Sequence, residues 1–134
     1  MNPRFALAAT RVFDGHITHE NAAVLVEAGR IIEVLPRSVL PTDMEVHEAG
    51  DALIAPGYVD LQVNGGGGVL FNNDPSVNGI ETISRAHARF GTTALMVTLI
   101  TDTPDLKKTA IEAGAHASKA AVPSLYVSLN KVQY

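Results

Sequence analysis

The stretch "TTALMVTLI", residues 92–100, constrains the fold of this chain more than any other. It is almost continuously apolar. A strand wetted on one side alternates apolar with polar residues, so a run without alternation reads as a strand buried on both faces, as in a parallel sheet. Parallel strands need crossover connections, and helical patterns stand on both sides of the run. Upstream, Asp74-Pro75 reads as an N-cap followed by proline at the first helical position, where its missing N–H is harmless. Val77, Ile80, Ile83, His87 and Phe90 then recur three or four apart as one helical face over 75–90, and Gly91 ends it. Downstream, Thr103-Pro104-Asp105 repeats the cap-proline-acid start, and Leu106, Ala110, Ala113 and Ala117 form the buried face of a helix over 104–120. Pro123 breaks that helix, and "SLYVSL" at 124–129 predicts another strand. With a strand over 58–63, the order is β-α-β-α-β, a unit that closes with right-handed crossovers.

Residues 1–54 have a different texture. Residues 4–13 predict a strand ending at the hairpin-type turn Asp14-Gly15. "AAVLVE" (22–27) predicts the next, turned by Glu27-Ala28-Gly29 into "RIIEVL" (30–35). Residues 44–47 and 51–54 read as two further short strands. This spacing suggests a small antiparallel sheet or half-sandwich. The composition shifts near Ala55-Pro56-Gly57, which places the boundary between a 1–54 domain and a 55–134 domain.

The totals exclude several function classes. Hydrophobic residues make up 46% and charged residues 18%, which supports a packed core over disorder. The formal net charge is −4 and no Lys/Arg run exists, which argues against nucleic-acid partners and anionic membrane surfaces. The apolar runs fall well short of the roughly 18 residues a membrane-spanning helix needs. With no cysteine, disulfides and thiolate zinc sites are excluded, which together with the lack of a signal-peptide pattern at the N-terminus suggests a cytoplasmic protein. The length is about half the roughly 250 residues of a closed (β/α)8 barrel.

The candidate site lies at the end of the 58–63 strand, in "APGYVDLQVNGGGG" (55–68). Working groups in parallel α/β folds sit at the carboxyl ends of strands, and Gln62 and Asn64 stand there. Two residues apart, they share a face by alternation, and Asp60 falls on that face, where it supports the site or caps a neighbouring strand. Paired amides orient a water, bind a substrate oxygen, make a weak metal contact, or satisfy each other and nearby backbone. Gly65 and Gly66, with the two glycines after them, suit backbone that approaches something closely or takes positive φ; the plainer alternative is a mobile turn. A Walker-type phosphate loop is disfavoured, since no Lys-Ser or Lys-Thr follows. A dinucleotide fingerprint is disfavoured as well, because the helix starts too far beyond the glycines. The five histidines form no H-x-H or H-E-x-x-H, and His87, on the apolar stripe, reads as a satisfied, partly buried histidine. No complete catalytic set is visible.

Taken together, "RVFDG", "AAVLVEAGRIIEVLP", "LIAPGYVDLQVNGGGGVLFNND" and "FGTTALMVTLIT" resemble the N-terminal part of the N-acetylglucosamine-6-phosphate deacetylases, members of the amidohydrolase superfamily. The resemblance spans most of residues 4–127. It implies an α/β fold: a partial small β-sandwich followed by the first β-α-β-α-β units of a metal-dependent-hydrolase (β/α)8 barrel. It implies an amino sugar phosphate substrate, and a divalent metal (Zn or Fe) that polarises the amide carbonyl and activates a water. Where many superfamily members carry metal-binding His-x-His, this chain carries Gln62-x-Asn64, which implies that Gln62, Asn64, Gly65 and Gly66 line a substrate and water site and bind no metal themselves.

The family's third barrel strand leads into "H-L-E-G-P", whose Glu holds the metal; here Asn130 stands in its place, and a neutral amide is a poor ligand for a divalent cation. The metal-binding histidines and catalytic Asp of the family have no counterpart in this sequence. The expectation is therefore an N-terminal fragment with a divergent or shortened C-terminal end, arising from a frameshift or truncated gene near residue 126. On this reading the chain is inactive alone, binds no metal, and contains no catalytic residue. The alternatives are a non-catalytic module whose open strand edges favour a homo-oligomer, and a small α/β protein with a phosphate-binding glycine loop.

Overall fold

The computed structural model describes residues 4–119. The expected strand at 124–129 and Asn130 lie outside the described residues. The chain divides into two compact units, Met1–Pro56 and Gly57–Tyr134.

In the first unit, strand β1 (Arg4–Phe13) pairs antiparallel with β2 (Thr18–Glu27), which pairs antiparallel with β3 (Arg30–Pro36). The first turn is fixed by Asp14, whose Oδ1 accepts the backbone N–H groups of His16 (2.7 Å) and Ile17 (2.9 Å). The second turn has two residues, Ala28 and Gly29, at φ 53° and 74°, between the paired Glu27 and Arg30. Two successive left-handed residues match the right-handed strand twist, the geometry short hairpins prefer. A short 3-10 turn (Arg37–Val39) carries the chain to the far edge, and the Arg37 guanidinium bridges both carboxylate oxygens of Glu48 there.

The last two strands correct the antiparallel expectation. β4 (Glu45–Glu48) and β5 (Leu53–Ile54) both pair with β1 in parallel, which makes a mixed five-stranded sheet, β3-β2-β1-β4, with β5 against the later part of β1. Local spacing carries no signal for this, because the direction is set by the crossover from β3 over the sheet, not by a tight turn. Small side chains build the core of this unit: Ala6, Ala8 and Ala23 under Leu40, Met44 and Val46, and Val12, Ala22 and Val24 with Leu7, Val34 and Ile54.

In the second unit, β6 (Tyr58–Val63) pairs in parallel with β9 (Thr92–Val97). Gly57 opens β6 because any Cβ there would collide with the Thr93 side chain. Between them lie a two-rung hairpin, β7 (Gly65–Gly66) with β8 (Val69–Leu70), and helix α1 (Val77–Ala88); α2 (Pro104–Lys119) follows β9. The described order is thus β-α-β-α around a parallel pair, with the short hairpin as an addition. Val63, Phe71, Ile80, Ile83, Leu95, Val97, Ala110, Ala113 and Ala117 form one core.

Two sequence expectations shift here. The N-cap of α1 is Ser76, whose Oγ accepts the Gly79 N–H at 3.0 Å, and not Asp74. Asp74 is held in the preceding turn, its own N–H donated to the Leu70 carbonyl at 3.2 Å, and its carboxylate packs beside Gly79 in the first turn of α1 without accepting a capping hydrogen bond among the described residues. Phe90 is 79% exposed because the helix stops at Ala88, two residues short of it. By contrast, α2 starts as its pattern indicates: Thr103 Oγ1 accepts the Leu106 N–H at 3.4 Å and Pro104 is the first helical residue.

Candidate functional site

The carboxyl ends of β6 and β9 lie side by side, joined by the Thr98 N–H on the Val63 carbonyl at 2.8 Å. Asn64 is half-buried at this junction. Its Nδ2 donates to the Thr98 carbonyl (3.1 Å) and to Thr98 Oγ1 (3.0 Å), and its own carbonyl accepts the Phe71 N–H at 2.8 Å. The side chain therefore stitches two parallel strand ends together and keeps Oδ1 as an acceptor. Gln62 is exposed, and among the described residues its side-chain amide makes no hydrogen bond. The two amides do not bond to each other.

Strict alternation fails between Asp60 and Val63. Asp60 pairs with Leu95 and Val63 with Val97, so β6 fits an extra residue into this interval. Within the irregularity Asp60 Oδ1 accepts the Gln62 N–H at 3.1 Å. The spacing argument that put Asp60 on the face of Gln62 therefore does not hold, and Asp60 is occupied with local backbone. Bulges of this kind are frequent beside functional positions because they re-aim side chains.

The four glycines have a structural account. Gly67 and Gly68, at φ 62° and 84°, form the left-handed turn of the β7–β8 hairpin. The hairpin lies on α1. A methyl group on Gly66 would stand 2.9 Å from His87 Cδ2, and one on Gly67 would stand 3.2 Å from Thr82 Cγ2. A methyl group on Gly65 would collide with the Val69 carbonyl oxygen. His87 donates from Nε2 to the Gly65 carbonyl at 3.0 Å, since that oxygen can only accept. The glycines thus meet the body and C-terminal half of a helix, the end whose dipole is negative. That corrects the phosphate-loop alternative, which needs a positive helix N-terminus.

One group of residues carried no sequence signal. Asn72, just past the hairpin, bonds both backbone groups of Ile100: Oδ1 accepts its N–H at 3.0 Å and Nδ2 donates to its carbonyl at 2.9 Å. Nδ2 also reaches Asp102 Oδ2 at 3.0 Å, while Asp102 Oδ1 accepts the Thr103 N–H at 2.8 Å. The Thr103 N–H, then the Asn72 amide and finally the attraction of Lys107 hold the Asp102 carboxyl below its ordinary range. These partners are 28 and 30 residues apart, beyond the reach of any local pattern.

No three His, Asp or Glu side chains gather as a metal-ligand set among the described residues. The amide pair does not replace one: Gln62 and Asn64 are neutral, and two carboxamide oxygens with no carboxylate or imidazole beside them are a weak set for a divalent cation. A divalent cation therefore does not fit the described groups of this site.

Searched against known proteins, the chain matches no family model. Its relatives are deacetylases of N-acetylated amino sugar phosphates. It is 30% identical over 110 residues to N-acetylglucosamine-6-phosphate deacetylase of Haemophilus influenzae, covering 81% of this chain and 29% of that protein. It is 40% identical over 72 residues to N-acetylgalactosamine-6-phosphate deacetylase of a Shewanella species, covering 54% of this chain and 18% of that protein. The crystal structure of N-acetylglucosamine-6-phosphate deacetylase from Pasteurella multocida matches 98% of the chain and 32% of its own length, with a TM-score of 0.83 and 24% identity. The fold of the chain is accordingly that of part of a deacetylase of this class. A particular protein it is similar to, in both sequence and structure, is N-acetylglucosamine-6-phosphate deacetylase, of which it spans less than a third.

Proposed function

We propose that this chain is part of an N-acetylglucosamine-6-phosphate deacetylase and that the ends of β6 and β9 form one wall of its amino sugar phosphate site. The observation that carries the reading is the carboxamide pair Gln62-x-Asn64 at the carboxyl end of a parallel strand, in a chain similar to such deacetylases. In this reading β6-α1-β9-α2 are the opening units of a (β/α)8 barrel within a 55–134 domain, and residues 1–54 are part of a small β-sandwich. The reaction hydrolyses the N-acetyl group and releases acetate and the amine.

Each residue has a restricted task. Asn64, pinned by Thr98, presents Oδ1 as a fixed acceptor for a water or a sugar hydroxyl. Gln62, whose amide is free among the described residues, offers a donor and an acceptor to a substrate oxygen. Gly65 and Gly66 let the hairpin close on itself and lie against α1, where a side chain would meet the Val69 carbonyl or the His87 ring. The Zn or Fe of the parent family is assigned to none of these residues, and in this reading the 134-residue chain alone binds no metal and releases no acetate. Nucleic acid and membrane are not partners in this reading, and the compartment is the cytoplasm. Among the described residues no helix is long and apolar enough to cross a membrane. An oligomerising module without catalysis is the second reading, favoured by the exposed Tyr58, Val59 and Leu61 on β6.

The test is a chimera. Residues 4–119 of this chain replace the matching part of the Pasteurella multocida enzyme, and acetate release is assayed with N-acetylglucosamine 6-phosphate and its galacto epimer. Metal-dependent release by the chimera, and none by the isolated chain, is the expected result. A folded chimera that binds neither sugar phosphate and releases no acetate would overturn the reading.

A further inference from the structure

We propose that Asn72 is a positioning residue that fixes the 98–103 loop against the segment carrying Gln62 and Asn64. A carboxamide presents the same donor and acceptor as a peptide group. Asn72 uses both on the backbone N–H and carbonyl of Ile100, at 3.0 and 2.9 Å, in the way a neighbouring strand would. Its second amide hydrogen reaches Asp102 at 3.0 Å, so both N–H groups are committed. Asp102 passes the constraint on through Thr103, whose hydroxyl caps α2. Asn64 holds Thr98 from the same segment, so alternate residues 98, 100 and 102 are gripped by two asparagines. The loop runs from the carboxyl end of β9 into α2, the place where parallel α/β sheets bind ligands. Its part as a wall of the sugar phosphate site rests on the reading above; the clamp itself does not.

The test follows the Asp102 carboxyl titration and Ile100 amide exchange by NMR in the wild-type chain, Asn72→Ala, Asn72→Asp and the control Asn73→Ala. Lys107 is the charged group acting on Asp102 among the described residues, and all the variants retain it. In Asn72→Ala, Asp102 titrates closer to the ordinary range and Ile100 exchanges about tenfold faster, as expected for the loss of one hydrogen bond. Core amides such as Ile80 are unchanged. Asn72→Asp sets a second carboxylate against Asp102, loosens the loop at neutral pH, and recovers Ile100 protection in acid when the pair shares a proton. A general packing defect gives no such recovery. Unchanged Asp102 titration in Asn72→Ala, or no recovery in Asn72→Asp, overturns the proposal. With N-acetylglucosamine 6-phosphate added to the chimera described above, amide shifts at 62–66 that vanish when it carries Asn72→Ala support the positioning role, and shifts that survive there overturn it. No ligand shifts in the chimera with Asn72 in place, with the clamp titration of the chain intact, overturns the sugar-site reading and leaves the clamp standing.

Discussion

His87 holds the carbonyl oxygen of Gly65 at 3.0 Å, and the same imidazole stands where a side chain on Gly66 would have to go. Helix and hairpin are therefore matched through one ring. Gly66→Ala should destabilise the chain by about 1–3 kcal/mol, the usual range for a forced overpacking. The double variant with His87→Ala should lose clearly less than the sum of the two single variants, because the clash has gone. Denaturant unfolding of the four proteins measures this coupling, and strict additivity would show that ring and hairpin do not touch.

Ser84 is 3% exposed on α1, and its hydroxyl has no hydrogen-bond partner among the described residues. A buried, unpaired hydroxyl costs about 1–3 kcal/mol in desolvation. Ser84→Ala should therefore be neutral or stabilising, by up to about 1 kcal/mol after the lost packing of one oxygen atom. A fall in the unfolding midpoint would reveal a partner for the hydroxyl in solution.

Asp14 titrates below the ordinary carboxylate range, first because His19 donates to its Oδ2 at 2.7 Å and then because the N–H groups of Ile17 and His16 donate to Oδ1. A lowered folded value means that the charged form favours the folded state. The contribution is complete above about pH 4, where the unfolded carboxyl is ionised, and is lost as the pH falls through the lower folded value. The stability gap between the wild-type chain and Asp14→Asn should shrink as the pH is lowered from 4. Since Asp14 is exposed to solvent, the gap should also narrow in high salt. A gap that grows in acid would contradict the sign of this linkage.

Tyr58, Val59 and Leu61 are 71%, 64% and 65% exposed on β6, which has one hydrogen-bonded strand neighbour among the described residues. A strand with a free edge and bare apolar side chains associates with other chains. Dilution on size-exclusion chromatography should shift the purified chain towards a smaller species, and Leu61→Lys should abolish the larger one. A monomer at all concentrations would remove the case for oligomerisation.

Much of this architecture was legible because it rests on local rules. The strand in the apolar run at 92–100, which ends at Val97 and not at Ile100, and the capped start of α2 were readable from residues a few places apart, as was the Asp14 turn. The shift from Asp74 to Ser76 as the cap was not, since both are capping residues and only the turn at 70–74 decides between them. The β7–β8 hairpin was hidden for a related reason: glycine has no side chain whose polarity or periodicity reports a strand. The parallel pairing of β4 and β5 with β1 depends on a crossover, which spacing does not encode. At the candidate site, the strand-end position of Gln62 and Asn64 was readable, but the slip in register at Asp60 and the Asn72 network arise from partners far along the chain.

The grip of Asn72 on Ile100 has an evolutionary consequence. It takes hold of the backbone at position 100 and ignores the side chain, so almost any amino acid could occupy that position without loosening it. Position 72 has no such latitude. Related sequences would then show a fixed asparagine facing a freely drifting partner, a dependence that correlated substitution between the two sites would never reveal.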